Sequence, residues 1–174
     1  RSVARDTVQS VSSSDGPDAT PRTGESEPLE SALAQRYGAV LSDLDGVVYA
    51  GASAIPGATE ALEKLEDIGV ALAYVTNNAS RSSAEVAAHL RALGAPATAE
   101  QIFGSALAGA ELLAEQVPPG ATVLVTGSAV LARHVAEQGL VPVTTADPLP
   151  DAVIQGFEPT LGWKDLAEAA FAVA

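Results

Sequence analysis

From residue 38 onward, apolar and polar positions fall into two recurring patterns. Short continuous apolar runs at residues 39–42 and 70–75, and around Ile102-Phe103, have the length and composition of strands buried in a parallel sheet. Between them, apolar residues recur at helical spacing. Leu62, Leu65 and Ile68 form one stripe, with Pro56 suited to that helix's first turn and Gly69 to the position just past its end. Val86, Leu90 and Leu93 form the next, opened by Ser82 and Glu85 in a capping-box pattern and closed by Gly94. A third helix carries Leu107, Leu112 and Leu113. Pro118-Pro119-Gly120 then breaks the chain. Beyond it the pattern predicts a strand at 122–125, a helix at 129–138 closed by Gly139, short strands at 141–143 and 152–154, and a last helix anchored by Trp163. Such alternation predicts an α/β fold: a parallel sheet with helices on both faces and right-handed crossovers. A second α/β unit is expected to begin between residues 105 and 120.

Residues 1–28 break this regularity. They are rich in Ser, Thr, Pro, Asp and Glu and nearly free of large apolar side chains, a composition that predicts disorder. They also lack the apolar core of a signal peptide. The chain begins at Arg1, contains no methionine, and its last helix stops without a polar tail, so it reads as a truncated piece of a longer protein.

Composition narrows the chemistry. With 174 residues, 47% of them hydrophobic but only 4% aromatic, the chain suits helices packed closely on a sheet. A net charge of -13 argues against a nucleic-acid surface or an anionic membrane face. The absence of cysteine excludes disulfides, zinc–thiolate sites and thiol nucleophiles, and is compatible with a reducing cytosol. No apolar stretch approaches the roughly 18 residues of a membrane span. The expectation is a soluble, cytoplasmic protein.

The candidate chemistry lies at two strand ends. Asp43 and Asp45 stand one residue apart, directly after the first apolar run and before Gly46. Alternation along extended backbone projects both acids to one side. Two carboxylates there repel each other unless a cation or a proton joins them. Thr76-Asn77-Asn78 closes the second run in the same way, so the two motifs should face each other across one crevice at the carboxyl ends of neighbouring strands. A threonine hydroxyl and loop N–H groups suit a phosphate oxygen, and Arg81 lies close behind. A divalent cation at Asp43 could bridge to that phosphate, which answers the charge problem of an acidic protein with an anionic ligand. Asp43 is the better nucleophile, Asp45 the better general acid/base, and Gly46 permits the sharp turn between ligand and backbone.

These residues carry a resemblance. Asp43-Leu44-Asp45-Gly46-Val47-Val48-Tyr49, then Ile55-Pro56-Gly57-Ala58, then Val75-Thr76-Asn77-Asn78-Ala79-Ser80-Arg81-Ser82 resemble the haloacid-dehalogenase (HAD) superfamily, in its NagD-like, para-nitrophenylphosphatase-like branch (subfamily IIA). The resemblance implies a Rossmann-like core with an inserted α/β cap. It divides the chain into a tail at 1–33, the first part of the core at 34–106 and a partial cap at 107–174. It implies a Mg²⁺-dependent phosphatase acting on a small phosphomonoester through an aspartyl-phosphate. Asp43 would be nucleophile and metal ligand. Asp45 would be acid/base and would give its backbone carbonyl to the metal. Thr76 would bind the phosphoryl group, with Asn77 and Asn78 beside it; apart from the resemblance, Gly46 and Arg81 are further phosphate-site candidates from position alone, although a charge such as Arg81 at a helix entry is more often solvated. Caps of this branch often contribute to homodimer contacts. Two family features are missing: the only lysines, Lys64 and Lys164, both lie within predicted helices before any return to the core, and no downstream Gly-Asp motif completes a metal shell. The chain as it stands is therefore expected to be inactive or impaired. Ser42, often a bulky apolar residue in this family, should point away from Asp43.

Other readings compete. A receiver-like signalling domain also accepts a phosphoryl group on a strand-end aspartate, and a non-catalytic remnant could bind a ligand or a partner. A calcium loop starting at Asp43 fails, because its twelfth position is Ala54 rather than a bidentate glutamate. His89 and His134 sit on helices with no ligand partner at suitable spacing. Val125-Thr126-Gly127-Ser128 lacks the pattern of a nucleotide loop and reads as an ordinary strand–helix turn.

Overall fold

The computed structural model describes residues 33–174. The expected tail at 1–33 therefore lies outside the described residues except for Leu33, which opens a short 3₁₀ turn, Leu33–Arg36. The first α/β unit follows. β1 (Ala39–Asp43) leads through a small hairpin of β2 (Tyr49–Ala50) and β3 (Ser53–Ala54) into α1 (Ala58–Asp67). Then come β4 (Ala71–Thr76), α2 (Ser83–Ala92) and β5 (Ile102–Gly104). The parallel sheet has the order β1-β4-β5.

Local chemistry sets the helix limits. The Ser82 hydroxyl accepts the Glu85 N–H at 3.3 Å while the Glu85 carboxylate accepts the Ser82 N–H at 2.8 Å, the reciprocal box that opens α2. α1 ends at Gly69, whose φ of +75° lets its N–H turn back to the Glu66 carbonyl at 2.8 Å. Pro56 departs from expectation: it precedes α1 rather than opening its first turn, because Gly57 takes the capping position at φ +83°.

The expected buried strand at 39–42 is buried on one face only. Val40, Leu72, Tyr74 and Ile102 pack with Leu62, Val86, Ala87 and Leu90 beneath α1 and α2. The opposite face carries Leu41, Val75 and Phe103, which are 69%, 42% and 54% exposed. Strand register places Val75 between Asp43 and Phe103. Both helices lie on one side of this sheet; on the other, Val75 and Phe103 border a cavity of about 310 Å³ with Leu107, Ala108 and Glu111 and stay partly uncovered.

The second unit contains α3 (Ser105–Ala114), β6 (Thr122–Thr126), α4 (Ala129–Glu137), β7 (Val141–Val143), β8 (Ala152–Gln155) and α5 (Trp163–Ala172). Its sheet is parallel, in the order β7-β6-β8. Helices cover both faces here. Ala110 of α3 packs with Val123, Val135 and Leu140, and on the other side Leu124 packs with Ala146 and Ala169 of α5. α3 turns its small residues Ala106 and Ala110 inward and leaves Leu112 57% exposed, since only small side chains allow it to approach α4 closely. Trp163 does not anchor the last helix. It is 84% exposed at the first position of α5, and Ala169 makes the buried contact instead.

The two units meet at the loop after β4. Ala79, Ala106 and Leu131 form a small buried cluster. The Ser128 hydroxyl, which caps α4, also donates to the Ala79 carbonyl at 2.6 Å. Val125-Thr126-Gly127-Ser128 is thus a strand–helix turn that doubles as a junction.

Candidate active site

Asp43 is the last residue of β1, and its register partner on β4 is Val75, one residue before Thr76. Neighbouring parallel strands lie about 4.8 Å apart, so the acid loop and the Thr76-Asn77-Asn78 loop emerge side by side at one end of the sheet. Asp43 and Asp45 are both exposed, while Leu44 between them is fully buried. Leu44 also organises the turn: its carbonyl accepts N–H groups from Val47, Val48 and Tyr49 at 3.3, 2.9 and 3.2 Å. Gly46, at φ +80°, donates its N–H to the Tyr49 carbonyl at 2.8 Å. An L side chain at that φ would be strained.

The Asp43 carboxylate accepts the Leu44 N–H at 2.7 Å, and the Ser42 hydroxyl donates to the Asp43 main-chain carbonyl at 2.8 Å. Neither acid is paired with a cation: among the described residues the side-chain ion pairs join Glu137 to Arg133 and His134. No third His, Cys, Asp or Glu among the described residues joins them in a metal-ligating cluster.

On the facing loop, Thr76 is 6% exposed. Its hydroxyl oxygen accepts the Asn78 N–H at 3.1 Å, which leaves its own O–H free to donate. The Asn78 side-chain carbonyl is already engaged, accepting the N–H and the hydroxyl of Ser80 at 2.8 and 2.9 Å. Asn78 therefore shapes the loop, whereas the exposed Asn77 side chain keeps its hydrogen-bonding capacity; its main-chain carbonyl is held by the Ser105 hydroxyl at 2.9 Å. Arg81 is exposed just before α2.

Asp45, Thr76, Asn77 and Asn78 line one cavity of about 290 Å³ together with Tyr49 and Phe157. The sequence did not single out either aromatic residue. Burial raises the Tyr49 phenol above its ordinary pKa, the Asp45 carboxylate adds to the shift, Arg81 opposes it, and Asp43 adds further. The Tyr49 ring thus stands in the field of both acids and of Arg81. Beneath it the His89 ring meets it edge-on, 5.0 Å between centroids, with the His89 Nε2 buried and unpartnered. Neither Lys64 nor Lys164 lines this cavity.

A profile of haloacid dehalogenase-like hydrolases matches residues 40–141, which spans both strand-end motifs. The chain belongs to this family. It is 48% identical over 141 residues to D-glycerol 3-phosphate phosphatase of Mycobacterium tuberculosis, covering 81% of this chain and 39% of that protein. A crystal structure of glycerol phosphate phosphatase from that organism, in complex with magnesium, superposes with a TM-score of 0.75 at 48% identity, covering 80% of this chain and 42% of the other. NagD from E. coli K-12 superposes with a TM-score of 0.68 at 28% identity, covering 79% of this chain and 53% of NagD. These likenesses agree with the NagD-like branch of the HAD family and with its parallel α/β fold. The chain spans about half the length of these relatives, or less. No helix among the described residues is long and apolar enough to cross a membrane.

Proposed function

We propose that the protein to which this chain belongs is a phosphatase that hydrolyses a small phosphomonoester through an aspartyl-phosphate. The observation that supports this reading is the cavity that Asp45 shares with Thr76, Asn77 and Asn78, with Asp43 nearby at the end of β1, paired with Val75 just before Thr76. The named activity of its M. tuberculosis relative supports it.

In the proposed reaction a carboxylate oxygen of Asp43 attacks phosphorus and the bond to the ester oxygen breaks. Asp45 gives its proton to the departing alkoxide. A water then attacks the phosphoryl group, Asp45 takes up its proton, and inorganic phosphate leaves with the Asp43 carboxylate restored. The free O–H of Thr76 and the side chain of Asn77 hold phosphoryl oxygens, with Arg81 adding positive charge nearby. Gly46 keeps the backbone close, and Asn78 acts by shaping the loop.

Mg²⁺ fits this donor set. The ion is commonly held by one or two carboxylates together with substrate phosphate oxygens, and Asp43 and Asp45 offer hard oxygen donors with no competing cation. Bound there, Mg²⁺ would neutralise charge on the acids and the phosphoryl group. Residues 34–106 would form the first part of the HAD core and 107–174 part of a cap, through which a homodimer could form. The cytoplasm is the proposed location. The lysine and further acidic ligand that the family pattern calls for are not at this cavity, so the chain by itself is proposed to be impaired.

The test uses the full-length protein with Mg²⁺ and measures phosphate release from a panel of phosphomonoesters. Asp43→Asn should abolish turnover and labelling by substrate phosphate. Unimpaired turnover in that variant would sink the nucleophile assignment. A stable phosphoenzyme without turnover would favour a receiver-like role instead, and binding without either would favour a non-catalytic one.

A further inference from the structure

The loop after β4 is held by hydrogen bonds of two ranges. Local ones shape it: the Thr76 hydroxyl oxygen accepts the Asn78 N–H at 3.1 Å, and the Asn78 side chain accepts the N–H and hydroxyl of Ser80. At Asn77 the bond comes from far along the chain. The Ser105 hydroxyl donates to the Asn77 main-chain carbonyl at 2.9 Å, across 28 residues of sequence. Strand register brings the two together. Thr76 of β4 is paired with Gly104 of β5, so the next residues, Asn77 and Ser105, leave the sheet side by side. A serine near a helix start usually caps its own helix. Here Gly104 holds the capping position of α3 without a side-chain bond, and the Ser105 hydroxyl serves the neighbouring loop instead.

The Asn77 carbonyl and the Asn78 N–H belong to one peptide group. That group is planar and trans, so its C=O and N–H point in opposite directions and cannot turn independently. Ser105 holds one end of it and Thr76 the other. A hydroxyl has a single proton, and an oxygen that accepts a bond from a fixed direction keeps its own O–H turned away from that donor. The direction of the Thr76 O–H is therefore set, through one peptide, from Ser105. Thr76 is buried, so water has little access to do the same. Ser105 does not line the cavity that Thr76 shares with Asp45 and Asn77.

We propose that Ser105 is a positioning residue, which aims the Thr76 hydroxyl at the phosphoryl group by clamping the peptide between Asn77 and Asn78. This rests on the phosphatase reading above, in which Thr76 donates to a phosphoryl oxygen. Without the Ser105 hydroxyl that peptide can rotate, the Asn78 N–H leaves Thr76, and the Thr76 O–H loses its fixed direction. The same donor serves an ester and free phosphate, so both should weaken together. Because Ser105 is also the first residue of α3, the aim of Thr76 depends on α3 keeping its place at the end of β5.

The full-length protein with Mg²⁺ tests this, comparing wild type with Ser105→Ala, Ser105→Thr, Thr76→Val and the double variant Ser105→Ala/Thr76→Val. The readouts are kcat and KM for p-nitrophenyl phosphate, and the dissociation constant of inorganic phosphate by calorimetry, which needs no turnover. Ser105→Ala should lower kcat/KM by roughly three- to tenfold, the size of one net hydrogen bond, and weaken phosphate binding by a similar factor. Ser105→Thr keeps the hydroxyl and should restore most of both. Thr76→Val removes the group through which Ser105 acts, so adding Ser105→Ala to it should change phosphate binding by less than about twofold. A serine with a merely structural role would give losses that multiply in the double variant, and that result would overturn the proposal. Unchanged kcat/KM and phosphate binding in Ser105→Ala would overturn it too. A wild-type protein that neither hydrolyses any ester nor binds phosphate would instead overturn the phosphatase reading itself.

Discussion

Ser128→Ala offers a test of how the two units are joined. The Ser128 side chain is 4% exposed and makes two bonds that serve different parts of the chain. It accepts the Leu131 N–H at 3.1 Å, capping α4, and donates to the Ala79 carbonyl at 2.6 Å across 49 residues of sequence. Loss of a serine cap costs about 1 kcal/mol. Leaving a buried carbonyl without its partner costs about 1–3 kcal/mol more. The expected destabilisation is therefore about 2–4 kcal/mol. For a domain of this size, each kcal/mol lowers Tm by about 2–4 °C, so the melting point should fall by about 5–15 °C. Urea unfolding followed by far-UV circular dichroism measures the change in midpoint, with the slope checked for constancy. Ser128→Thr, which retains the hydroxyl, should lie much closer to wild type. A loss below about 0.5 kcal/mol in Ser128→Ala would refute the reasoning, because it would mean that neither bond survives in solution.

Further outcomes follow from other positions. Gly156→Ala forces a Cβ against Leu131 and Ala79 and should cost about 1–3 kcal/mol in chemical unfolding. In the full-length protein, Asp45→Asn should slow phosphate release by roughly 10²–10⁴-fold, read in a stopped or continuous phosphate assay, while leaving the fold intact by circular dichroism. Tyr74 is fully buried, its hydroxyl donates to the Pro96 carbonyl, and burial pushes its pKa from 10.0 up to about 12. A folded-state pKa above the unfolded value favours the fold most at low pH. Tyr74's contribution is thus complete below about pH 10 and is lost as pH rises toward about 12. Tyr74→Phe should remove that alkaline decline from a stability–pH curve while costing about 1 kcal/mol at neutral pH.

Much of the architecture was legible because it is set by local chemistry. The capping box of Ser82 and Glu85, and the stops at Gly69, Gly94 and Gly139, mark element ends within a few residues of the groups that cause them. The two strand-end motifs were legible for the same reason, as each is a short run at the edge of an apolar segment. What sequence could not give depends on distant partners. Leu41 belongs to an apolar run, yet whether its face is covered depends on where α1 and α2 come to lie. Leu112 has the side chain of a core residue, but the close approach of α3 to α4 selects Ala106 and Ala110 instead. Trp163 is the largest apolar residue in its helix and still faces solvent, because α5 packs through Ala169. Phe157 enters the cavity through a contact between units made at Gly156 and Ala79, and no residue near it in sequence announces that contact. Tyr49 had a visible signal that went unused, since it closes the same motif that begins at Asp43.

The buried Leu44, with its carbonyl gathering three N–H groups, bears on how this loop fluctuates. Its acids are wet, but the peptide groups that hold them are tied to a side chain from which solvent is excluded. The amides of Val48 and Tyr49 should therefore exchange with deuterium slowly for positions so close to the surface, on the timescale of the β4 amides rather than of an exposed turn. Local fraying that would spread the two carboxylates apart requires Leu44 to leave the core. The spacing of the acids is in this way tied to the integrity of the whole first unit, and it should persist until that unit melts.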